Sequence, residues 1–224
     1  MKVAIVTGAS RGLGLALTRE LHSRGWRLVV DARDAAALMQ AVKGLPRVVP
    51  VPGDITDPRH RADLVAAAGE TIDLLVHNAS ALGPSPQPQL ADYALDELRR
   101  VYEVNLIAPL GLFRAALPQL SKDAAVLAIT SDAAVEAYEG WGGYGSSKAA
   151  LDHLTAILAA EHPDLRVYAA DPGDMRTQMH QEAFPDEDIS NLPLPEDSVP
   201  GLVALIVGSL PSGRYRVHEL KPRV

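Results

Sequence analysis

The chain contains no cysteine. Disulfides, thiolate catalysis and cysteine-based zinc sites are therefore excluded, and a cytoplasmic setting is expected. Positive charge is in short supply: 21 lysines and arginines face 28 aspartates and glutamates, a net charge of −7. No basic face is available to meet a phosphate backbone, so no nucleic-acid partner is expected. Long apolar runs are also missing. The best of them, Leu202 to Val207, falls far short of the ~20 residues that span a bilayer, and no membrane partner is expected. Lys2 precedes an apolar stretch, yet only Val3 to Val6 follow before Thr7 and Gly8, where a signal segment needs about 7–15 apolar residues. A buried first strand accounts for them better. The seven histidines are scattered without ligand spacing, and no metal is expected.

What is present is a globular composition, 47% hydrophobic and 22% charged over 224 residues. That length suits one well-buried domain over 1–224, since two would each be small. Short runs rich in Val, Ile and Leu recur at Val3–Val6, Leu28–Val30, Val48–Val51, Leu74–Val76, Val126–Ile129, Val167–Ala170 and Arg214–Val217. Apolar runs without alternation suit strands covered on both faces. Helical spacing fills the intervals: Leu13–Arg24, Ala35–Val42, Arg59–Ala68, Tyr93–Leu117, Ser146–Glu161 and Val199–Ser209. The alternation predicts an α/β fold, a single doubly wound Rossmann-type domain with a mainly parallel seven-stranded sheet and helices on both faces. Two loops stand out, Gly83–Gln89 with three prolines and the acidic Asp186–Asp197.

Two motifs carry chemistry. The first strand runs into Thr7-Gly8-Ala9-Ser10-Arg11-Gly12-Leu13-Gly14 and then directly into a helix. Glycines there permit a tight turn and a close approach of backbone N–H groups to a pyrophosphate, with the helix N-terminus behind it. In the second half, Tyr144 and Lys148 stand four apart, which puts them on one face of a helix. A cation beside a phenol favours the phenolate, so a lowered tyrosine pKa is expected.

The spacing Gly8, Gly12, Gly14 differs from the GxGxxG dinucleotide fingerprint. Together with Tyr144-xxx-Lys148 about 130 residues later, it resembles the short-chain dehydrogenase/reductase family over nearly the whole chain. The resemblance implies a catalytic tetrad of Asn105, Ser131, Tyr144 and Lys148. In it the tyrosine transfers a proton and the serine binds the substrate oxygen. The lysine holds the nicotinamide ribose, and the asparagine positions a water. It also implies a cofactor site formed by Gly8, Ser10, Arg11, Gly12, Leu13 and Gly14 in the turn, with Ala32 and Arg33 after the second strand. Further along come Asp54 and Ile55, then Asn78, Ala79 and Ser80, then Pro172, Gly173 and Thr177, joined by Tyr144 and Lys148. Ser80 stands where the family usually has glycine and His77 where asparagine is common. Asp54 also suits a helix cap, and Pro172-Gly173 a plain turn.

Ala32 falls where NAD-preferring relatives carry an acid that binds the ribose hydroxyls. With Arg33 and Arg11 nearby, the reading is NADP(H) preferred; a register one residue earlier makes Asp31 that acid, and NAD(H) then becomes possible. The implied activity is hydride transfer between nicotinamide and a small-molecule carbonyl or alcohol, the alternative being a non-catalytic NADP(H) sensor or scaffold. Substrate contacts are expected from Gly83–Gln89, Ala133–Trp141 and a substrate loop near 174–198, with Tyr138, Trp141, Met175 and Met179 making the pocket partly apolar. The family habit implies a homodimer or homotetramer.

Overall fold

A computed structural model describes residues 1–220; the last four positions of the expected domain lie outside the described residues. Seven strands form one sheet: β1 (Val3–Val6), β2 (Arg27–Ala32), β3 (Val48–Pro52), β4 (Ile72–His77), β5 (Leu120–Ile129), β6 (Arg166–Asp171) and β7 (Gly213–Arg216). Their order is β3-β2-β1-β4-β5-β6-β7, and every pairing is parallel. The helices are α1 (Gly12–Ser23), α2 (Ala35–Ala41), α3 (Pro58–Ala68), α4 (Leu95–Tyr102), α5 (Ala108–Ala116), α6 (Gly142–Glu161), α7 (Gln178–Ala183) and α8 (Pro195–Val207).

The central apolar runs serve two cores at once. In β1, Ala4 and Val6 face one cluster and Ile5 the other; β2 divides likewise, Leu28 and Val30 against Val29. Helices α1, α2 and α8 cover the first face with Leu17, Leu21, Leu38 and Leu205. Helices α3, α5 and α6 cover the second with Leu64, Leu112, Phe113 and Leu158. A strand with no solvent-facing row has no place for alternating polar residues, which is why these runs read as uniformly apolar. Each such side chain, once fully buried, contributes about 1.5–3 kcal/mol.

After β3 the chain returns to the other side of β1 to form β4. That reversal opens a crevice above the carboxyl ends of β1 and β4, where open α/β sheets take their ligands. The helix expected over Tyr93–Leu117 is broken by a wide π turn, Glu103–Ile107, between α4 and α5. Pro109 has no N–H to return to the carbonyl of Asn105, four residues earlier, and a proline in this place favours such a turn. Helix α8 starts four residues before the expected Val199, because Pro195 is tolerated in a first turn and Glu196 and Asp197 suit its dipole.

Candidate active site

At the carboxyl end of β1, Thr7 and Asn78 tie two strand ends together. Thr7 Oγ1 accepts from the N–H groups of Asn78 (2.9 Å) and Ala79 (3.0 Å), and Asn78 Nδ2 donates to the carbonyls of Thr7 (2.8 Å) and Gly8 (3.0 Å). Gly8 sits at φ +69°, the left-handed region that favours glycine. Gly14 is required by proximity: a Cβ there would lie 2.4 Å from Gly8 O and 2.5 Å from Asn78 Nδ2. Asn78 therefore braces the turn with its own amide.

The end of β2 settles where its acid points. Asp31 is buried, accepts from the N–H of Gly8 at 2.7 Å and lies 3.1 Å from His60 Nε2. Asp34 caps α2 through the N–H of Ala37. Arg33 is exposed on the wall of the cavity. Arg11 lies on the same wall, but its guanidinium donates to Gln178 on α7, across the opening from the turn. Asp54 accepts from the N–H and hydroxyl of Thr56. Burial pushes its carboxyl up, and those bonds, with Arg33 and His60 nearby, outweigh it and hold the pKa below the usual range.

Tyr144 and Lys148 lie on the first turns of α6, both buried, with the ammonium 5.5 Å from the centre of the phenol ring. Lys148 Nζ donates to the carbonyl of Ile129 at the end of β5, 2.8 Å away. Burial lowers its pKa to about 8, against a partial lift from Asp152. The expected lowering of Tyr144 is not what the structure gives. Burial raises its pKa strongly; the Ser80 and Ser131 hydroxyls pull it back, and Asp132 and Asp171 push it further up. Taking a phenolate out of water outweighs the aid of nearby donors. His77, buried beneath the same loop with its Nε2 unpartnered, is held down to about 4 by burial.

Ser131 ends β5. Its hydroxyl donates to Asp132 Oδ1 (2.9 Å) and accepts from the N–H of Ala133 (3.2 Å), and Tyr138 donates to the other Asp132 oxygen (3.0 Å). Asn105 in the π turn spends its whole amide: Nδ2 on Ala81 O and Ser147 Oγ, Oδ1 on the N–H of Ala81 and the hydroxyl of Ser80. Its side chain thus fixes the loop after β4 against α6, and holds no free polar atom for a water. Thr177 caps α7 through the N–H of His180, and its Cγ2 lies 3.6 Å from the place a Cβ on Gly12 would take. That puts the start of α7 over the glycine turn.

One cavity of about 1380 Å³ joins these parts, and it is lined by Ser131, Tyr144 and Lys148 together with every residue expected at the cofactor except Gly14. Gly14 and Asn105 lie behind its walls and support them.

Residues 2–188 match the family described as short chain dehydrogenase. The chain is 36% identical over 185 residues to the uncharacterized oxidoreductase YIR035C of Saccharomyces cerevisiae, across 80% of this chain and 72% of that protein. It is 33% identical over 195 residues to the benzil reductase ((S)-benzoin forming) of the same yeast, across 81% and 74%. Its fold superimposes on a short chain dehydrogenase from Escherichia coli CFT073, complexed with NADPH, with a TM-score of 0.88 at 26% identity, over 96% of each chain. The chain belongs to the short chain dehydrogenase family.

This short chain dehydrogenase is accordingly an oxidoreductase acting on CH–OH or C=O groups, in a family that binds NAD(P). Its own residues fit a dinucleotide. Helix α1 enters the cavity with no side chain capping its N-terminus and no acid in its first turn, so its free N–H groups and positive dipole end suit phosphate. Side-chain volume is withheld where the glycine turn meets Asn78 and Ala79. Among the described residues no group of three His, Asp or Glu side chains could hold a metal, and no helix is long and apolar enough to cross a membrane.

The substrate side of this short chain dehydrogenase differs from expectation in one segment. Of Gly83–Gln89 only Gly83 reaches the cavity, while Tyr138, Trp141, Met175 and Met179 do line it. Sequence reading missed α7 and with it Phe184, whose ring stands 5.6 Å from Trp141, itself 5.8 Å from Tyr144. A signal was present: Thr177 followed by Gln, Met, His, Gln, Glu and Ala is a cap before good helix formers. Asp132 and its partner Tyr138 were also missed as a pair, since only the fold of the turn brings them together.

Proposed function

We propose that this chain is an NADP(H)-dependent carbonyl reductase whose single domain combines cofactor binding and catalysis, with Tyr144 as proton donor to the substrate oxygen. The observation that carries the reading is the burial of Tyr144 beside Lys148 on the wall of a cavity whose far end is the uncapped glycine turn. Bound NADP(H) would supply or accept the hydride. The chain's own groups do the rest. Ser131, turning from Asp132, hydrogen-bonds the carbonyl oxygen as charge builds there. Tyr144 gives that oxygen a proton, and the ammonium of Lys148 beside it eases the loss. Burial keeps the Tyr144 phenol protonated at neutral pH, which suits reduction better than alcohol oxidation. A relay role for Asn105 falls to its backbone carbonyl, to which Pro109 offers no N–H.

Arg33 supports NADP(H) over NAD(H). Asp31 and Asp34 are both committed to protein groups, and Arg33 is left to meet a 2′-phosphate. The aromatic wall of Trp141 and Phe184, with Met179 packed beside Tyr144, supports a carbonyl flanked by an aryl or bulky apolar group. Ile107 and Ile157 stay exposed along the Asn105 and Tyr144 helices, which supports a homodimer or homotetramer formed through these helices.

The test is NADPH oxidation against a panel of aldehydes, aryl ketones and diketones. Turnover is expected with NADPH over NADH, and Arg33→Ala is expected to weaken NADPH binding about 10- to 100-fold with NADH unchanged. Unaltered NADPH affinity in that variant would overturn the cofactor assignment. Tight cofactor binding without turnover on any carbonyl would favour a sensor.

A further inference from the structure

Arg214 lies on β7, at the edge of the sheet, yet its guanidinium reaches inward to three segments of the site. Nε donates to Asp152 Oδ2 (2.9 Å), and Nη2 to Asp171 Oδ2 (3.0 Å) and to the backbone carbonyl of Ser131 (3.0 Å). Asp152 is one turn beyond Lys148 on α6, and Asp171 ends β6 just before Pro172-Gly173. Asp152 is half-buried, and its Oδ1 is buried with no partner. Arg214 is thus the cation that answers both carboxylates, and those two pairs keep its own charge in place against its partial burial.

We propose that Arg214 is a positioning residue for the Tyr144–Lys148 pair: it pins the backbone of Ser131 to α6 and β6 and neutralises Asp152 and Asp171, two of the carboxylates that act on the pair. The assignment of that pair to proton transfer rests on the carbonyl-reductase reading; the electrostatic coupling does not. The groups facing Lys148 are Tyr144 and Asp152 on α6 and the Ile129 carbonyl on β5. Those facing Tyr144 are Ser80 after β4, Ser131 and Asp132 after β5, and Asp171 on β6. Asp152 lifts Lys148 and Asp171 lifts Tyr144. Arg214, bound to both acids, opposes both lifts. A purely mechanical edge-strand tie would do the same holding without moving either titration.

The experiment reads Lys148 directly. Lysines carrying ¹³C-methyl groups are titrated by NMR, with the Lys148 signal assigned from a Lys148→Arg variant. Arg214→Met is expected to move the Lys148 titration upward by roughly half a pH unit or more, since Asp152 then acts on it unopposed. Arg214→Met/Asp152→Asn returns it towards the wild type, and Arg214→Lys, which keeps the charge, holds it there. Asp152→Asn alone, leaving Arg214 unopposed, moves it below the wild-type value. An unshifted titration in Arg214→Met, or no fall in Asp152→Asn, would overturn the proposal. These titrations use neither substrate nor cofactor, so a protein without reductase activity would sink the functional reading and leave this test standing.

Discussion

At the glycine end of the cavity, geometry is held mainly by backbone groups and short side chains, with Asp31 accepting from the N–H of Gly8. Thr7 and Asn78 bond the carbonyls and N–H groups of their neighbours, and Gly14 approaches within a distance that no Cβ allows. At the tyrosine end, geometry is held by ionisable side chains taken out of water: Lys148 on the carbonyl of Ile129, and Arg214 between Asp152 and Asp171. The first end turns neutral N–H groups towards the phosphate it suits, and its one buried acid, Asp31, is held by the N–H of Gly8 and by His60. The second must bury charge to control a proton. The buried ammonium of Lys148 and the tight approach of Gly14 should therefore answer differently to pH and to substitution.

The largest expected effect sharpens that contrast at the tyrosine end. Lys148 titrates at about 8 in the folded protein against 10.5 ordinarily. Between those values the unfolded chain binds more protons, so its contribution to stability rises with pH from about 8 to 10.5, by about 3 kcal/mol. Below about 8 the full penalty of the buried ammonium is present. In urea unfolding, Lys148→Met is expected to lose this pH dependence, so the wild type gains about 3 kcal/mol on the variant across that window. Parallel curves for the two proteins would mean the ammonium is not paying a burial penalty. At the glycine end the expected effect is smaller and independent of pH. Gly14→Ala forces a Cβ against Gly8 O and Asn78 Nδ2, and a shift of that kind costs about 1–3 kcal/mol. It should appear as a lower urea midpoint at every pH, together with weakened NADPH binding. An unfolding penalty confined to one pH range would break the comparison.

What could be read in the sequence follows the same division. The central strands were legible because they are buried on two faces, so composition alone marks them, as in Val3–Val6 and Leu74–Val76. The glycine turn was legible because backbone constraints leave a spacing behind. Tyr144 and Lys148 were legible as a pair, but the direction of the Tyr144 shift was not. That direction depends on Asp132, Asp171 and the depth of burial, which distant segments supply. Asp31 is the same lesson: a residue count leaves it open as a ribose ligand, whereas its bonds to the N–H of Gly8 and to His60, 29 residues away, appear only in the fold. The break in the Asn105 helix had a local cause in Pro109, and α7 had a local cap in Thr177. The Arg214 network had no local signal, since its partners lie 43 to 83 residues away.

The most direct test of the whole account is the rate of NADPH oxidation by Tyr144→Phe on any carbonyl that the wild type turns over. The account predicts a loss of about 10²- to 10⁴-fold in turnover, the range for a positioned proton donor, with NADPH still bound as tightly as by the wild type. Turnover that survives the loss of the hydroxyl would contradict it.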